Sequence, residues 1–393
     1  MTTEVRNIVL LGSTGSVGRN CLSIARELPG RFRVVALAVD SDVDGLAEQV
    51  EEFRPLVVGV REEKAARELE RRFGSGGVKI LAGESGVARL AGLEEGDIVV
   101  NAIVGAAGLL PTVEAVKAGK RLALANKESL VLAGQAVVQM AKERGAEILP
   151  VDSEHSGVHQ CVSSRRARIR RIVLTASGGP LLGRRTAELA DVTPEEVLRH
   201  PVWKMGRRIC VDSATLFNKG LEVMEARWLF DVELDEIGVL VHPEGVVHAM
   251  VEFVDGTTLA QISAPDMRVP ILYALTYPET VEAPFDSCDL SRVSPLTFME
   301  PDLAQFPCLA LAYDAAKAGG TVPASLNAAD EVAVKAFLDG RIRFTDITRV
   351  LEQSLGKTRR SAIGTIQDVL DADSEARAVA EELVRTMAGG VQG

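Results

Sequence analysis

Short runs of aliphatic and β-branched residues alternate along the first part of this chain with longer stretches whose apolar positions recur every three or four residues. The runs at 7–11, 33–39, 57–60, 98–104, 121–125 and 146–151 are apolar almost throughout, the pattern of strands buried on both faces in a parallel sheet. The stretches ending at Leu28, and those over 43–52 and 62–73, have one apolar face each and predict the intervening helices. Strand and helix in this order predict a doubly wound, Rossmann-like α/β domain over residues 1–150. A flavodoxin-like domain without a dinucleotide shares the pattern, and periodicity does not separate the two.

Beyond residue 150 the pattern changes. A strand at 172–175 lies within the region 151–286, which is expected to form a central α/β catalytic domain. Residues 287–306 are dotted with prolines and aperiodic, which reads as a linker. Apolar stripes at 308–318, 325–339, 344–355 and 368–387 then predict a small helical bundle over 307–393.

Composition acts by exclusion. The net charge is −11, from 44 basic and 55 acidic residues, and the only compact basic run is 165–171, so no nucleic-acid partner is expected. Cys21, Cys161, Cys210, Cys288 and Cys308 are far apart and odd in number, which fits a reducing, cytoplasmic setting. The first residues lead directly into a strand pattern, and the longest apolar run, 98–110, contains Asn101 and three glycines. Neither export nor membrane insertion is expected.

Candidate chemistry begins at the turn Gly12-Ser13-Thr14-Gly15-Ser16-Val17-Gly18. Between the first strand and first helix it offers backbone N–H groups and a helix dipole to a pyrophosphate, although G-x-x-G-x-x-G alone is a weak signal. Asp40, 22 residues after Gly18, lies where a dinucleotide fold places an acid on the ribose hydroxyls of NAD. Asp42 and Asp44 add to that field, which would repel the 2′-phosphate of NADPH; the alternative is that the acids cap the next helix and Arg61 meets the phosphate. Asn126-Lys127-Glu128 stands at the carboxyl edge of the sheet, as a ligand-binding triplet or as a helix cap.

Asp152 and Glu154, at i and i+2 of a strand pattern, point to one side. Two such carboxylates repel unless a proton or cation sits between them, and oxygen ligation favours Mg²⁺ or Mn²⁺. His155 and His159 at i, i+4 keep a zinc reading open. Ser177-Gly178-Gly179-Pro180 gives a backbone free to wrap an anion, or a bare turn. The run 200–225 carries the densest chemistry. Its first part mixes His200, Pro201, Trp203, Met205 and Gly206 as a lid-like loop, and a helix is expected from Ala214 with Asp212 or Ser213 as cap. Asn218, Glu222 and Glu225 then share one helical face, flanked by Lys219. An ordinary loop and amphipathic helix would use the same spacing.

Taken together, GSTGSVG, NKE, DSEHS, SGGP, HP-x-W-x-MG, DSAT-x-x-NKGLE, PDM and NAADE-x-AV resemble the 1-deoxy-D-xylulose 5-phosphate reductoisomerase family over nearly the whole chain. The resemblance implies rearrangement of that ketose phosphate and hydride reduction to 2-C-methyl-D-erythritol 4-phosphate, with NADPH or NADH and Mg²⁺ or Mn²⁺. It implies metal carboxylates at Asp152, Glu154 and Glu222, and phosphate contacts from Ser177, Ser213, Asn218 and Lys219. Lys127, Ser153 and His200 would contact substrate, with Trp203 and Met205 closing over it. Gly12, Thr14, Gly15, Ser16, Val17, Asp40, Ser41, Asp42, Asn126, Glu128 and Gly206 would line the cofactor. Lys127, Asp152, Glu154, His200 and Glu222 are the expected catalytic set, in a homodimer. Two departures stand out: Glu244-Gly245 replaces the family's usual Gln-Ser, and Asp40-Ser41-Asp42 replaces Gly, a basic residue and Asn, so that NADH is expected to serve at least as well as NADPH. A dehydrogenase of another phosphorylated sugar and a non-catalytic cofactor-binding protein are the competing classes.

Overall fold

In a computed structural model of the protein, the structure describes residues 5–73, 78–165, 167–203, 205–293 and 295–389. They divide into two compact units. The first comprises the described residues of 1–129, 137–156 and 266–286, and the second those of 130–136, 157–265 and 287–393.

The first unit is built on a parallel sheet of β1 (Arg6–Leu11), β2 (Phe32–Val39), β3 (Val57–Val60), β4 (Lys79–Ala82), β5 (Ile98–Asn101), β6 (Arg121–Leu124) and β7 (Glu147–Pro150). The order is β4-β3-β2-β1-β5-β6-β7. Val9, Leu10, Val99, Val100 and Leu122 are almost fully buried, because helices cover both faces of these apolar runs. Chain order reverses between β1 and β5, so a crevice opens beyond the carboxyl end of β1, where ligands of open α/β sheets bind.

Residues 266–286, expected in the central domain, pack instead against this sheet. Ile271, Leu272, Ala274 and Leu275 of the Arg268–Thr276 helix are in its core. At the amino edge Arg6 donates to Leu275 O at 2.7 Å, Arg121 to Tyr277 O at 2.5 Å, and Arg31 pairs with Glu279 at 2.5 Å. Arg6 and Arg121 satisfy carbonyls at a helix end, a need that no sequence period announces. They line the cleft at the amino edge, opposite the ligand edge.

The second unit has a mixed sheet in the order β11-β10-β8-β9, formed by β8 (Ile169–Ala176), β9 (Ile237–Val241), β10 (Val247–Phe253) and β11 (Thr258–Ile262). The helices Cys308–Ala318, Val322–Leu338, Asp346–Lys357 and Ile366–Gly389 belong to this unit rather than forming a separate domain. At Gly220 an added Cβ would stand 2.3 Å from Ala312 Cβ, so the Phe217–Phe230 and Cys308–Ala318 helices meet at a contact only glycine permits. The segment 287–306 is mostly exposed among its described residues, yet it is tethered to the second sheet. Met299 exchanges backbone hydrogen bonds with Val241 (2.7 and 2.9 Å), and Glu244 accepts from Thr297 N at 3.1 Å. Its prolines mark irregular backbone, and backbone pairing still ties it to β9. Among the described residues no helix is long and apolar enough to cross a membrane.

Candidate active site

The dinucleotide turn has a steric origin. Gly12 has φ +81°, and a Cβ there would lie 2.5 Å from Ala102 O; at Gly18 it would lie 2.4 Å from Gly12 O. The Ser16–Glu27 helix starts at Gly15 without a side-chain cap, so its first amides face the crevice in the manner of an anion site. Thr14, Gly15, Ser16 and Val17 all stand at this helix start.

At the end of β2 the two aspartates separate in role. Asp42 caps the Val43–Phe53 helix, its side chain accepting from Gly45 N at 3.0 Å. Asp40 is exposed and accepts from Arg61 Nε at 2.5 Å, while Arg61 also lies 3.7 Å from Glu84. The carboxyl end of β2 therefore holds an acid–guanidinium pair. Asn126 and Glu128 are buried and hold the 103–108 loop: Asn126 Nδ2 donates to Ile103 O (2.8 Å) and Gly105 O (2.9 Å), and Glu128 accepts from Gly105 N at 2.9 Å. They shape the crevice wall.

Asp152 and Glu154 are not on a strand. β7 ends at Pro150, and a helix runs over Ser153–Ser163 with Glu154 in its first turn and Asp152 just before it. Ser156 N bonds to Asp152 O at 2.8 Å, closing that turn. A carboxylate gains from the dipole at a helix start, which strand alternation does not supply. The Asp152 carboxylate pairs with the Lys127 ammonium, and His155 Nδ1 lies 3.8 Å away. Ser153 donates its hydroxyl to Glu154.

In the second unit β8 delivers Ser177 from its carboxyl end. His200 Nε2 lies 3.0 Å from Ser177 Oγ and 3.3 Å from Ser213 Oγ. Nδ1 accepts from Trp203 N (2.9 Å) and Val202 N (3.2 Å), which puts the neutral ring's proton on Nε2, toward the two hydroxyls. Burial pushes the imidazole below its ordinary pKa, favouring that neutral form. Gly179, φ +69°, lets the turn come so close that a Cβ would meet Ser213 O at 2.8 Å. Three residues singled out in the sequence, 177, 200 and 213, thus meet at one point.

The expected cap is corrected. Asp212 and Ser213 lie in the last turn of an Arg207–Ala214 helix, and the next helix, Phe217–Phe230, begins after Leu216 in the left-handed region at φ 59°. The hydroxyl that meets the new helix is Thr215 Oγ1, accepting from Phe217 N at 3.3 Å. Along this helix Asn218 Nδ2 donates to Glu222 Oε1 at 2.5 Å, and Lys219 pairs with Glu222 Oε2. Glu222 is 1% exposed, Lys219 3% and Glu225 fully buried. Trp203 lies with its ring tilted against His248, centroids 5.9 Å apart, and Cys210 Sγ approaches Met205 O at 3.9 Å; Lys204 of the loop is outside the described residues.

The glycine turn at the switch point of the first unit's parallel sheet, with the hydroxyl–imidazole cluster and the buried Lys219–Glu222 pair of the second unit, suits one class: an oxidoreductase that uses a nicotinamide dinucleotide on a small polar substrate. The model of 1-deoxy-D-xylulose 5-phosphate reductoisomerase matches residues 8–134, and models of the C-terminal domain of this enzyme match 148–230 and 262–379. The chain belongs to that family. The reductoisomerase of Thermodesulfovibrio yellowstonii is 49% identical over 96% of this chain and 99% of its own, and that of Chlorobaculum tepidum 49% identical over 97% and 100%. Among solved structures, the Zymomonas mobilis enzyme in complex with NADPH has TM-score 0.89 at 39% identity, covering 97% of this chain and 99% of that one. A reductoisomerase complex with NADPH, fosmidomycin and magnesium has TM-score 0.91 at 39% identity, covering 97% and 98%. The activity is that of an NAD(P)H- and divalent-cation-dependent oxidoreductase and isomerase of isoprenoid precursor synthesis.

Proposed function

We propose that Asp152, Glu154 and Glu222 hold the divalent cation, that Ser177, Ser213, Asn218 and Lys219 receive the substrate phosphate, and that Lys127, Ser153 and His200 orient the reacting carbons. The observation that carries this reading is the convergence of the Ser177 and Ser213 hydroxyls on His200 Nε2. Hydroxyl and imidazole N–H groups suit phosphate oxygens, and paired glycines at 178–179 keep side chains out of the way. The donor set fits a hard cation. Asp152 and Glu222 are oxygen ligands, nearly buried, and each is matched to an ammonium, Lys127 and Lys219, so both sites are arranged around positive charge. When bound, such a cation stabilises negative charge developing on carbonyl and hydroxyl oxygens. Around it, His200 donates from Nε2, and the lysine ammonium groups hold anionic oxygens in place. The cytoplasm suits the free thiols at Cys21, Cys161, Cys210, Cys288 and Cys308. A homodimer would cover the exposed apolar side chains Leu290, Leu296, Phe298 and Leu303, and sedimentation would read it directly.

The Asp40–Arg61 pair sharpens the cofactor expectation. Arg61 neutralises the acid in place, so Asp40 can accept from ribose hydroxyls of NADH while Arg61 can turn to a 2′-phosphate. Cofactor oxidation on adding 1-deoxy-D-xylulose 5-phosphate is therefore expected with either nucleotide, with kcat/KM values within about ten-fold, or about 1.4 kcal/mol. Arg61→Ala should weaken NADPH binding and leave NADH binding unchanged in a fluorescence titration. A preference for NADPH of ten-fold or more in the wild type would mean that Asp40 does not read the ribose.

The 200–206 loop is proposed to close over bound substrate, because it pairs Pro201 and Gly206 with the half-buried Trp203 and Met205. Trp203 emission, recorded in a Trp228→Phe background, is expected to shift on saturation with a phosphonate ligand. An unchanged spectrum would remove the lid.

A further inference from the structure

The motif Asn327-Ala328-Ala329-Asp330-Glu331 has no place in the reaction described above, yet Asn327 and Asp330 are fully buried. Both face Arg208, a residue that no sequence signal singled out, in the first turn of the Arg207–Ala214 helix whose last turn carries Ser213. Arg208 Nη2 donates to Asn327 Oδ1 at 2.8 Å and to Asp330 Oδ2 at 3.2 Å, and Nη1 donates to Glu331 Oε1 at 3.1 Å. Its Nε lies 3.3 Å from Asp212 Oδ2, one residue before Ser213. The far side of Glu331 is held by Arg377 at 2.6 Å, which also grips Asp373. One guanidinium fork thus ties the helix under Ser213 to the Val322–Leu338 helix, and Arg377 ties that helix in turn to Ile366–Gly389.

We propose that Arg208 is a positioning residue for the reductoisomerase reaction: clamped by Asn327, Asp330 and Glu331, it sets where Ser213 stands against His200. The C-terminal bundle is then part of the phosphate pocket's construction. The inference rests on the reading of Ser213 as a phosphate contact. Geometry supports it, because a planar fork with several fixed acceptors restricts rotation and sliding of the helix, which a lysine point charge would not. The surplus of acids points the same way. Asp212, Asp330, Glu331 and Asp373 outnumber Arg208 and Arg377, and burial with the nearby Asp212 charge raises the Asp330 pKa well above the ordinary carboxylate value. The arrangement holds more polar groups than charge balance requires. A bundle needing only stability could use apolar residues here.

The test is a double-mutant cycle on the full-length enzyme with Arg208→Lys and Ser213→Ala, reading KM for the phosphorylated substrate, kcat, the NADPH dissociation constant and Tm. Arg208→Lys is expected to raise KM at least ten-fold, with kcat within about three-fold and the NADPH constant unchanged. In the Ser213→Ala background the same change should add less than two-fold, since it acts through that hydroxyl. A lowered Tm with unaltered KM would make Arg208 purely structural and overturn the proposal, as would independent, multiplicative effects. If Ser213→Ala itself left KM unchanged, the phosphate reading of Ser213 would be the part that failed. Should Arg208→Lys not fold, Asn327→Ser removes only the 2.8 Å acceptor and enters the same cycle, with the same non-additivity expected at smaller size.

Discussion

Asp152→Asn and Glu222→Gln should each lower kcat/KM by roughly 10³-fold, about 4 kcal/mol, and weaken Mn²⁺ binding measured by calorimetry. A cation that polarises reacting oxygens is worth several kcal/mol of transition-state charge stabilisation, and an amide oxygen replaces a carboxylate poorly as its ligand. The two variants are not equivalent in stability. The Asp152 and Lys127 side chains keep 13% and 11% of their surface exposed, so removing this charge strands its ammonium less deeply than at Glu222. Glu222 is buried with Lys219, and its neutral form leaves an ammonium inside the protein, which costs about 3–5 kcal/mol in such settings. Asp152→Asn is therefore the cleaner probe: unchanged melting with lost metal affinity is the expected signature. Chelator-treated wild type that keeps full activity, or a variant that binds Mn²⁺ like the wild type, would sink the assignment.

How much of this was legible in the sequence depends on the distance over which each signal acts. The parallel sheet was readable because runs such as Val57–Val60 are apolar on both faces, and periodicity is a local property. The bundle helices were legible for the same reason. What failed was whatever depended on partners far along the chain. The 266–286 segment looks like part of the domain it follows, and only Arg6, Arg31 and Arg121 reveal that it returns to the first sheet. The bundle was expected to stand alone, because nothing near Gly220 or Arg208 advertises the partners they meet about a hundred residues later.

The site shows the same division. Residues 177, 200 and 213, singled out in the sequence, meet in the structure, and 218 and 219 both reach 222, whereas their local backbone was not readable. Asp152 and Glu154 were expected to converge through strand alternation, but they sit at a helix start, because Ser153-Glu154-His155-Ser156 forms a turn closed by Asp152 O. Asp212-Ser213 resembled a cap, since Asp and Ser favour that position; the eight residues 207–214 instead make their own helix, and the left-handed Leu216 breaks it from the next. Arg61 was visible only as an alternative, because pairing between strand ends leaves no trace in spacing.

Lys219→Ala is expected to act twice, and the two effects separate. First, it removes the ammonium beside a carboxylate that is 1% exposed, so the protein should melt earlier, by an amount on the order of 3–5 kcal/mol. Second, it removes a charge-assisted contact to the substrate phosphate. Hydrogen bonds to charged groups contribute about 1.5–3 kcal/mol, so substrate binding should weaken roughly ten- to a hundred-fold. Adding Glu222→Gln to Lys219→Ala relieves the first effect, because the remaining amide no longer needs a cation and Asn218 can still donate to its oxygen at the same position. It does nothing for the second. The double variant should therefore regain most of the lost Tm while its calorimetric affinity for the phosphorylated ketose, or for inorganic phosphate, stays low. A substrate analogue lacking the phosphate discriminates further: wild type and Lys219→Ala should bind it alike. If the analogue lost as much affinity as the phosphorylated compound, or if phosphate affinity recovered together with Tm, Lys219 would serve only to balance Glu222, and the phosphate would be held by Ser177, Ser213 and Asn218 without it.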